Sequence, residues 1–189
     1  MMKVKSKNQI PLTQKKLKEL LHYDPETGVF TWRIYRNHHT ATGDIAGTVQ
    51  WFDRRKYMRS FKKKLYRNIK VFGCTYRASH LAFLYMTGKW PPNQIDHINC
   101  NSLDNRWVNL RPCTQLQNNR NRQYSPRSTS FFKGVYFHKK HKKYRAQISV
   151  NRKTLHLGCF FSQTDAACAY DRAAKKYYGE FANLNFPSE

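Results

Sequence analysis

The feature that most constrains the fold is a strict alternation of apolar and polar residues in the segment Lys143–Val150. Side chains of a strand point alternately to its two faces, so this segment would place one row of residues on a core and the other row on the opposite surface. The apolar row is Tyr144, Ala146, Ile148 and Val150, and the polar row is Lys143, Arg145, Gln147 and Ser149. The segment is therefore predicted to be a half-buried strand.

Two further strands and one helix are predicted around this strand. Residues 134–138 precede it, and residues 152–160 follow it with their leucines in register with the apolar row. Residues 164–178 repeat alanine and tyrosine at helical spacing, and Gly179 ends that helix. The pattern predicts a three-stranded antiparallel sheet packed on one helix.

The helix can cover only one face of this sheet, so the polar face is left to solvent or to a ligand. Basic and amide side chains that project from a sheet are suited to the major groove of DNA. An ordinary solvated sheet face would show the same pattern. The candidate DNA-binding residues are Lys133, Lys143, Arg145, Gln147, Arg152, Thr154 and His156.

The charge of the chain favours a nucleic-acid partner. There are 35 Lys and Arg against 11 Asp and Glu, a net charge of +24. Such an excess repels itself in a folded protein unless a polyanion is bound. Residues up to 131 carry 24 basic and 7 acidic side chains, and the later residues carry 11 and 4, so both parts are expected to touch the partner. A structural protein that only coats nucleic acid would be equally basic.

The first part of the chain is expected to contain short helices and strands. Thr13 can cap a helix, and residues 29–34 alternate as a strand. Residues 79–87 are predicted to form a helix that Gly88 ends. Between them, residues 54–70 are a basic run with aromatic residues interspersed, which fits either a solvated face or a contact with a phosphate backbone.

A polar segment between residues 95 and 118 carries the candidate chemistry. Residues 95–98 and 110–114 are predicted strands, residues 99–105 a polar turn, and a helix is expected from Gln115 onward. In such a hairpin, residues on the first strand and on the helix can converge. Asp96 and Asn118 could then meet at one ion.

The residue types in this segment suit phosphodiester hydrolysis. His97 can accept a proton from water, because a neutral imidazole titrates near physiological pH. Asp96 and Asn118 offer hard oxygen atoms, which suit Mg²⁺ or Mn²⁺. The amide oxygen of Asn109 could accept the other ring N–H and so fix the tautomer. Taken alone, these residues also fit turn asparagines and a structural histidine.

The same segment resembles the ββα-metal motif of phage-borne HNH homing endonucleases. The matching stretches are Asp96-His97-Ile98, Asp104-Asn105-Arg106, Asn109-Leu110-Arg111, Thr114 and Gln117-Asn118, and two earlier segments, 23–32 and 81–88, resemble the lead-in of those proteins. The resemblance implies Asp96 and Asn118 as metal ligands, His97 as general base and Asn109 as the residue that orients it. Asn119, beside Asn118, leaves the second ligand open by one position.

The C-terminal part resembles the DNA-binding domain of plant ethylene-response factors of the apetala type. The matching stretches are Lys133-Gly134-Val135, residues 144–148, residues 157–160, residues 166–167, residues 169–174 and residues 184–187. The resemblance implies that the sheet lies in the major groove. Tyr136, Gln147, Ser149 and His156 stand at or near the base-contacting positions of the plant domains, so the plant target sequence is not expected.

The predicted protein is thus an α+β DNA endonuclease of two modules. Residues 1–122 are assigned to the HNH nuclease module, residues 123–131 to a linker, and residues 132–189 to the DNA-binding domain. The alternative from another class is a non-catalytic, sequence-specific DNA-binding regulator.

The expected setting is the cytoplasm of a phage-infected bacterial cell. The five cysteines include no C-x-x-C pair, so neither a disulfide framework nor a zinc site is expected. No apolar run approaches the roughly 20 residues of a membrane helix, and double-stranded DNA rather than a membrane is the expected partner.

Overall fold

The structure is a computed structural model that describes residues 12–36, 40–52, 64–122 and 130–187. The chain forms two compact units, Met1–Pro112 and Cys113–Glu189. The predicted functional modules divide later, at residues 122 to 132, and that division remains a prediction. Most of the predicted linker and the basic residues 54–63 lie outside the described residues.

The first unit contains helices and antiparallel strands in mixed order. In the described residues the helices are α1 (Gln14–Leu20) and α2 (Ala78–Thr87), and the strands are β1 (Leu21–Asp24), β2 (Val29–Trp32), β3 (Thr48–Phe52), β4 (Lys64–Val71), β5 (Cys74–Arg77), β6 (Gln94–His97) and β7 (Leu110–Cys113). Strand β7 ends at the first residue of the second unit. The strands form three sheets, ordered β1-β2, β3-β4-β5 and β6-β7.

Local sequence signals set the start of α1 and the end of α2. The side chain of Thr13 accepts a hydrogen bond from the backbone N–H of Lys16, as its predicted role as N-cap requires. Helix α2 ends at Gly88, whose φ of +74° is the left-handed conformation that glycine adopts without a steric penalty. The helix begins one residue before its predicted start at residue 79.

One apolar core joins the elements of the first unit. Leu17 and Leu21 from the α1–β1 segment, Phe30 from β2 and Leu81 from α2 are fully buried together. Ile95 and Leu110, at the two strands of the β6–β7 sheet, belong to the same core. The polar segment predicted to carry chemistry is therefore attached to the largest core of the described residues by both of its strands.

The sheet β3-β4-β5 is not predicted by the sequence pattern. Strand β4 pairs with both neighbours, Thr48 lying opposite Asn68 and Val71 opposite Cys74. Its sequence alternates weakly, because Arg67 interrupts the row that ends in the buried residues Ile69 and Val71. The basic run suggests a charged surface, although its second half forms a strand.

The second unit is a short helix followed by a sheet packed on a longer helix. Its elements are α3 (Gln115–Arg120), β8 (Val135–His138), β9 (Lys143–Val150), β10 (Lys153–Phe160) and α4 (Gln163–Tyr178). The sheet is antiparallel in the order β10-β9-β8. Helix α4 is capped by Ser162 and ends at Gly179, one residue past Tyr178. The predicted α+β class and the predicted sheet packed on one helix are confirmed.

The predicted alternation of β9 corresponds to its packing. Ala146 and Ile148 are buried against the alanine face of α4, with Tyr144 and Val150 packed at the edges of the same clusters. The small residues Ala166 and Ala174 are fully buried, which lets the helix lie close to the sheet. A bulge between His156 and Gly158 shifts the register of β10. The opposite face of the sheet is not covered by α4.

Candidate functional site

Asp96 and His97 are the last two residues of strand β6, and both are buried. Their exposed fractions are 5% and 8%. Burying a carboxylate or an imidazole is costly unless the surroundings supply hydrogen bonds or an opposite charge. The partners of these two side chains therefore define the site.

Arg111, on strand β7, supplies the opposite charge for Asp96. Its Nε and Nη2 atoms donate to the same carboxylate oxygen, Oδ2 of Asp96, over 3.0 Å and 2.9 Å. Both side chains of this ion pair are largely buried, with 12% and 5% exposed. The two hydrogen bonds fix the direction in which the Asp96 carboxylate faces.

Asn105 lies against the ring of His97. Its Oδ1 is 3.2 Å from Nε2 of His97, and its Nδ2 donates to the backbone carbonyl of Leu103 over 3.1 Å. The Leu103 carbonyl can only accept, so it orients the Asn105 amide with the oxygen toward the histidine. An amide oxygen accepts a proton, hence Nε2 of a neutral His97 carries the hydrogen and Nδ1 carries the lone pair.

Asn109 organises the loop rather than the ring. Its Oδ1 accepts from the backbone N–H of Asn99 over 2.9 Å, and its Nδ2 donates to the Asp104 carbonyl over 2.7 Å. The expected hydrogen bond from the His97 ring to Asn109 is not formed among the described contacts of Asn109, and Asn105 takes that place. The reason is geometric: the backbone carbonyl of Asn109 accepts from Ile98, which directs its side chain into the turn. A part for Asn109 in catalysis remains a prediction.

Asn118 lies on α3, in the second unit. Helix α3 begins with a capping box, in which the Thr114 side chain accepts from the Gln117 backbone and the Gln117 side chain accepts from the Thr114 backbone. The neighbouring Asn119 accepts a hydrogen bond from Gln115 through Oδ1 over 3.1 Å. The meeting of Asn118 with Asp96 at one ion remains a prediction from the sequence.

Two ionisable groups beside the site have displaced pKa values. Burial, aided by Arg77 and His97, lowers the pKa of His80 to about 4, so that His80 is neutral at physiological pH. Hydrogen bonds from Arg106 are the main cause that lowers the pKa of Asp104 to about 2. Asp104 also accepts from Asn99 over 2.7 Å. The loop that Asn109 stabilises is therefore also held by the Asp104 carboxylate, which is charged at physiological pH.

The donor set of the site fits a hard divalent cation. Asp96 contributes carboxylate oxygens, and the two hydrogen bonds from Arg111 do not exhaust the roughly four lone-pair directions of a carboxylate. Among the described residues no cluster of three or more His, Cys, Asp or Glu side chains could hold a metal. A cation at Asp96 would therefore need amide and water oxygens as further ligands, which is usual for Mg²⁺ and unsuited to zinc.

The uncovered face of the C-terminal sheet is polar and basic. Gln147 lies opposite His156, and Ser149 lies opposite Thr154, so these side chains share one face with Arg145. The Nε atom of Arg145 is buried and has no hydrogen-bond partner among the described residues.

Of the other three predicted DNA-binding residues, two lie at the rim of this face. Lys143 begins β9, with its ammonium group over the ring of Phe161. Arg152 is exposed in the turn between β9 and β10. Lys133 donates from Nζ to the backbone carbonyl of Arg120, so its ammonium group is engaged inside the second unit. The structure therefore brings six of the seven candidates to the sheet or its rim and directs Lys133 elsewhere.

Comparison with known proteins finds two kinds of similarity. Residues 76–120 match the family model of HNH endonucleases. An ethylene-responsive transcription factor-like protein of Arabidopsis thaliana is 33% identical over 82 residues, which are 43% of this chain and 34% of that protein. Dehydration-responsive element-binding protein 2E of the same plant is 48% identical over 46 residues, 24% of this chain and 19% of that protein. The AP2-like ethylene-responsive transcription factor ANT is 42% identical over 62 residues, 32% and 11% of the two chains.

Residues 76–120 thus match an HNH endonuclease domain, and the chain has a distant similarity to AP2/ERF DNA-binding domains. It spans about a third or less of the length of these plant relatives. The resemblance found in the sequence is confirmed at this level. In the described part of the chain, none of the helices combines the length and apolar composition that a membrane crossing requires.

Sequence reasoning missed two residues of the site, Arg111 and Asn105. Both fall within the stretches that carry the HNH resemblance, but the sequence alone assigned neither of them a role. A buried Asp96 required a cationic partner, and this physical rule could have singled out Arg111 on the paired strand. No comparable signal pointed to Asn105, because one asparagine in an asparagine-rich turn is not distinguished by type or spacing.

Proposed function

We propose that the protein is a homing-type endonuclease that hydrolyses phosphodiester bonds of double-stranded DNA with one divalent cation, Mg²⁺ or Mn²⁺. The observation that carries the proposal is the buried His97, which stands beside the charged Asp96 and whose Nε2 is held by Asn105. The match of residues 76–120 to HNH endonucleases supports the same reaction.

His97 serves as the general base. With Nε2 donating to Asn105, the lone pair of the neutral ring lies on Nδ1, and this atom takes the proton of the attacking water. A neutral histidine is available for this task at physiological pH, because the ordinary histidine pKa is about 6.5. The hydrogen bond to Asn105 keeps the ring hydrogen on Nε2 and therefore off Nδ1, the atom that takes the proton.

Asp96 and Asn118 would hold the cation, with water completing the coordination. Bound there, the cation supplies a positive charge that stabilises the phosphorane and the leaving oxygen. Arg111 orients the Asp96 carboxylate through their ion pair.

The C-terminal sheet holds the target DNA. Gln147, Thr154 and His156 can donate to or accept from base edges, and the basic side chains at the rim can contact phosphates. The similarity to AP2/ERF domains supports this assignment. The resemblance of residues 23–32 and 81–88 to phage proteins supports a homing role in the cytoplasm of an infected bacterium.

A DNA-binding regulator without nuclease activity is the second candidate. It is favoured by the similarity to plant proteins whose names describe them as transcription factors. A regulator has no use for a buried base whose tautomer is fixed, so the two candidates differ in what the loss of His97 does.

Cleavage of a library of DNA duplexes with Mg²⁺, followed by sequencing of the cut ends, tests the proposal. We expect discrete cut sites with the wild type and a rate lower by roughly 10²- to 10⁴-fold in His97→Ala, the usual contribution of a general base. His80→Ala is the matched control, since it removes another partly buried histidine of the same unit and should leave the cut sites in place. A wild type that cuts no duplex, or a His97→Ala variant with more than half the wild-type rate, would refute the assignment.

A further inference from the structure

The hairpin β1–β2 lies outside the matched HNH segment and touches that segment at its catalytic turn. The match begins at residue 76, whereas the hairpin spans Leu21–Asp24 and Val29–Trp32. The hairpin contacts the backbone of residues 105–107, which follow Asp104. These contacts join parts of the chain about 80 residues apart, which local structure alone does not bring together.

Two hydrogen bonds connect the hairpin to this peptide. The hydroxyl of Tyr23 donates to the backbone carbonyl of Asn105 over 2.7 Å, and the backbone N–H of Trp107 donates to the carbonyl of Pro25 over 2.9 Å. Tyr23 is 1% exposed and Asn105 is 3% exposed, so water does not compete for the bond between them. If this hydrogen bond is lost, the buried group left without a partner destabilises the folded protein.

The turn of the hairpin also packs directly on the same peptide. Gly28 has φ +72°, and a Cβ atom there would lie 2.3 Å from the carbonyl carbon of Asn105 and 2.4 Å from the backbone nitrogen of Arg106. Only a residue without a side chain permits this approach. The Asp24 side chain fixes the turn by accepting from the Glu26 backbone over 2.9 Å and from the Thr27 hydroxyl over 2.7 Å.

The hairpin itself is fixed by the core. Tyr23 stacks at 4.7 Å on Phe30 and meets the edge of Tyr85 from α2 at 5.6 Å. The Asn105 peptide is therefore held by a rigid part of the unit on one side. On its other side, the Asn105 side chain holds the His97 ring, with Oδ1 3.2 Å from Nε2.

We propose that the hairpin β1–β2 is a positioning element of the nuclease site, which acts through Asn105 to hold His97 in the tautomer and orientation that general-base catalysis requires. This inference rests on the function proposed above. Asn105 is a positioning residue in this account, since it touches the base and not the substrate. A displacement of about 1 Å at a reacting group can cost on the order of 10²-fold in rate.

Gly28→Ala in the full-length chain tests this role, with Gly73→Ala as its matched control. The two glycines have φ of +72° and +76°, so alanine is strained equally at both, but a Cβ at Gly73 meets no atom within 4 Å. The comparison separates the displacement of Asn105 from the general cost of the backbone conformation. Tyr23→Phe, which removes only the hydroxyl, supplies a second variant that preserves the packing if Gly28→Ala does not fold.

The first measurement is the ring NMR signal of His97, assigned by its loss in His97→Gln, at about two pH units above the ordinary histidine pKa of about 6.5. We expect a resolved proton on Nε2 in the wild type and in Gly73→Ala, because a buried hydrogen-bonded proton exchanges slowly. In Asn105→Ala, Gly28→Ala and Tyr23→Phe the signal should weaken and the second tautomer should emerge. A wild-type proton on Nδ1, or an unchanged ring in all three variants, would overturn the proposal.

The second measurement is the single-turnover rate on saturating duplex DNA with Mg²⁺, beside the dissociation constant for the same duplex. Gly28→Ala should lose roughly 10- to 100-fold in rate with its duplex affinity maintained, and Gly73→Ala should remain within about twofold of the wild type. If no variant and not even the wild type cuts DNA while the ring signals change as expected, the proposed function fails and the positioning role stands. If DNA is cut and the ring signals do not change, the positioning role fails alone.

Discussion

The loop around His97 and the sheet β8–β10 differ in how their polar side chains are bonded. In the loop, Asn99, Asp104, Asn105 and Asn109 are bonded to one another and to the backbone. In the sheet, polar side chains of β9 and β10 such as Gln147 and His156 lie on the face turned away from helix α4. The first arrangement is preorganised, whereas the second is open to a ligand.

This difference separates two tasks. A reaction centre gains from groups that are fixed before the substrate arrives, because reorganisation at the moment of reaction is avoided. A binding surface gains from polar groups that exchange water for base edges and phosphates. Changes in the loop should therefore alter cleavage or stability, and changes in the sheet should alter affinity.

Metal removal should have the largest effect and should act on cleavage alone. An excess of chelator is expected to abolish cutting, and Mg²⁺ or Mn²⁺ to restore it, because the proposed ligands of the ion are oxygen atoms. Binding of the same duplex, measured by titration in chelator, should persist because the sheet needs no cation. Full cleavage in chelator would remove the metal from the mechanism.

Neutralising three charges of the sheet should reduce affinity and its dependence on salt. In the triple variant Lys143→Gln, Arg145→Gln and Arg152→Gln, the slope of log affinity against log salt should become shallower by about 0.9 for each phosphate that is no longer neutralised, or roughly 2.7 in all. The control removes three charges from helix α4, with Arg172→Gln, Lys175→Gln and Lys176→Gln. Equal slopes in the two triple variants would show that charge acts diffusely and that the sheet does not bind the DNA.

The ion pair of the site should matter more for stability than its exposed neighbour. Arg111→Ala leaves the buried Asp96 without its cation and should lower the free energy of unfolding by about 3 kcal/mol or more. Arg106→Ala removes the partner of Asp104 from a pair whose arginine is 48% exposed, and should lower the free energy of unfolding by less, because solvent screens an exposed ion pair. Urea denaturation of both variants measures the difference. Losses of equal size would contradict the buried character of the Asp96 pair.

Acid should weaken the first unit through Asp104, with the smallest effect of the series. Arg106 lowers the pKa of Asp104 to about 2 in the folded chain, below the value near 3.9 of an unfolded aspartate. The stabilisation is therefore present above about pH 4 and is lost as the pH falls toward 2. Thermal denaturation across this range should show less acid sensitivity in Asp104→Asn than in the wild type. The same acid loss in both chains would exclude Asp104 as its source.

The sequence predicts the sheet better than the loop for a physical reason. Alternation in Lys143–Val150 reports burial directly, and the strand has the predicted bounds. The predicted helix start at residue 164 is one residue late, since Ser162 caps a helix that begins at Gln163. These features depend on neighbours in sequence.

The missing parts depend on contacts between distant residues. Asn105 receives its bond from Tyr23, 82 positions away, and no periodic pattern marks such a pair. The sequence pattern does not predict the sheet β3-β4-β5, because the apolar row of β4 is interrupted by a basic residue. The residue types of the site, Asp96 and His97, follow from the chemistry of hydrolysis, whereas the contact of His97 with Asn105 instead of Asn109 requires the structure.

The most direct test of the account measures binding and cleavage on one duplex for two variants, His97→Ala and Arg145→Glu, with Lys175→Glu as the control on helix α4. The account predicts that His97→Ala keeps the wild-type affinity and loses roughly 10²- to 10⁴-fold in single-turnover rate. Arg145→Glu should bind more weakly than Lys175→Glu and should cut at the wild-type rate once the protein is saturating. If both variants lost affinity and rate together, the separation of a preorganised reaction centre from an open binding sheet would be contradicted.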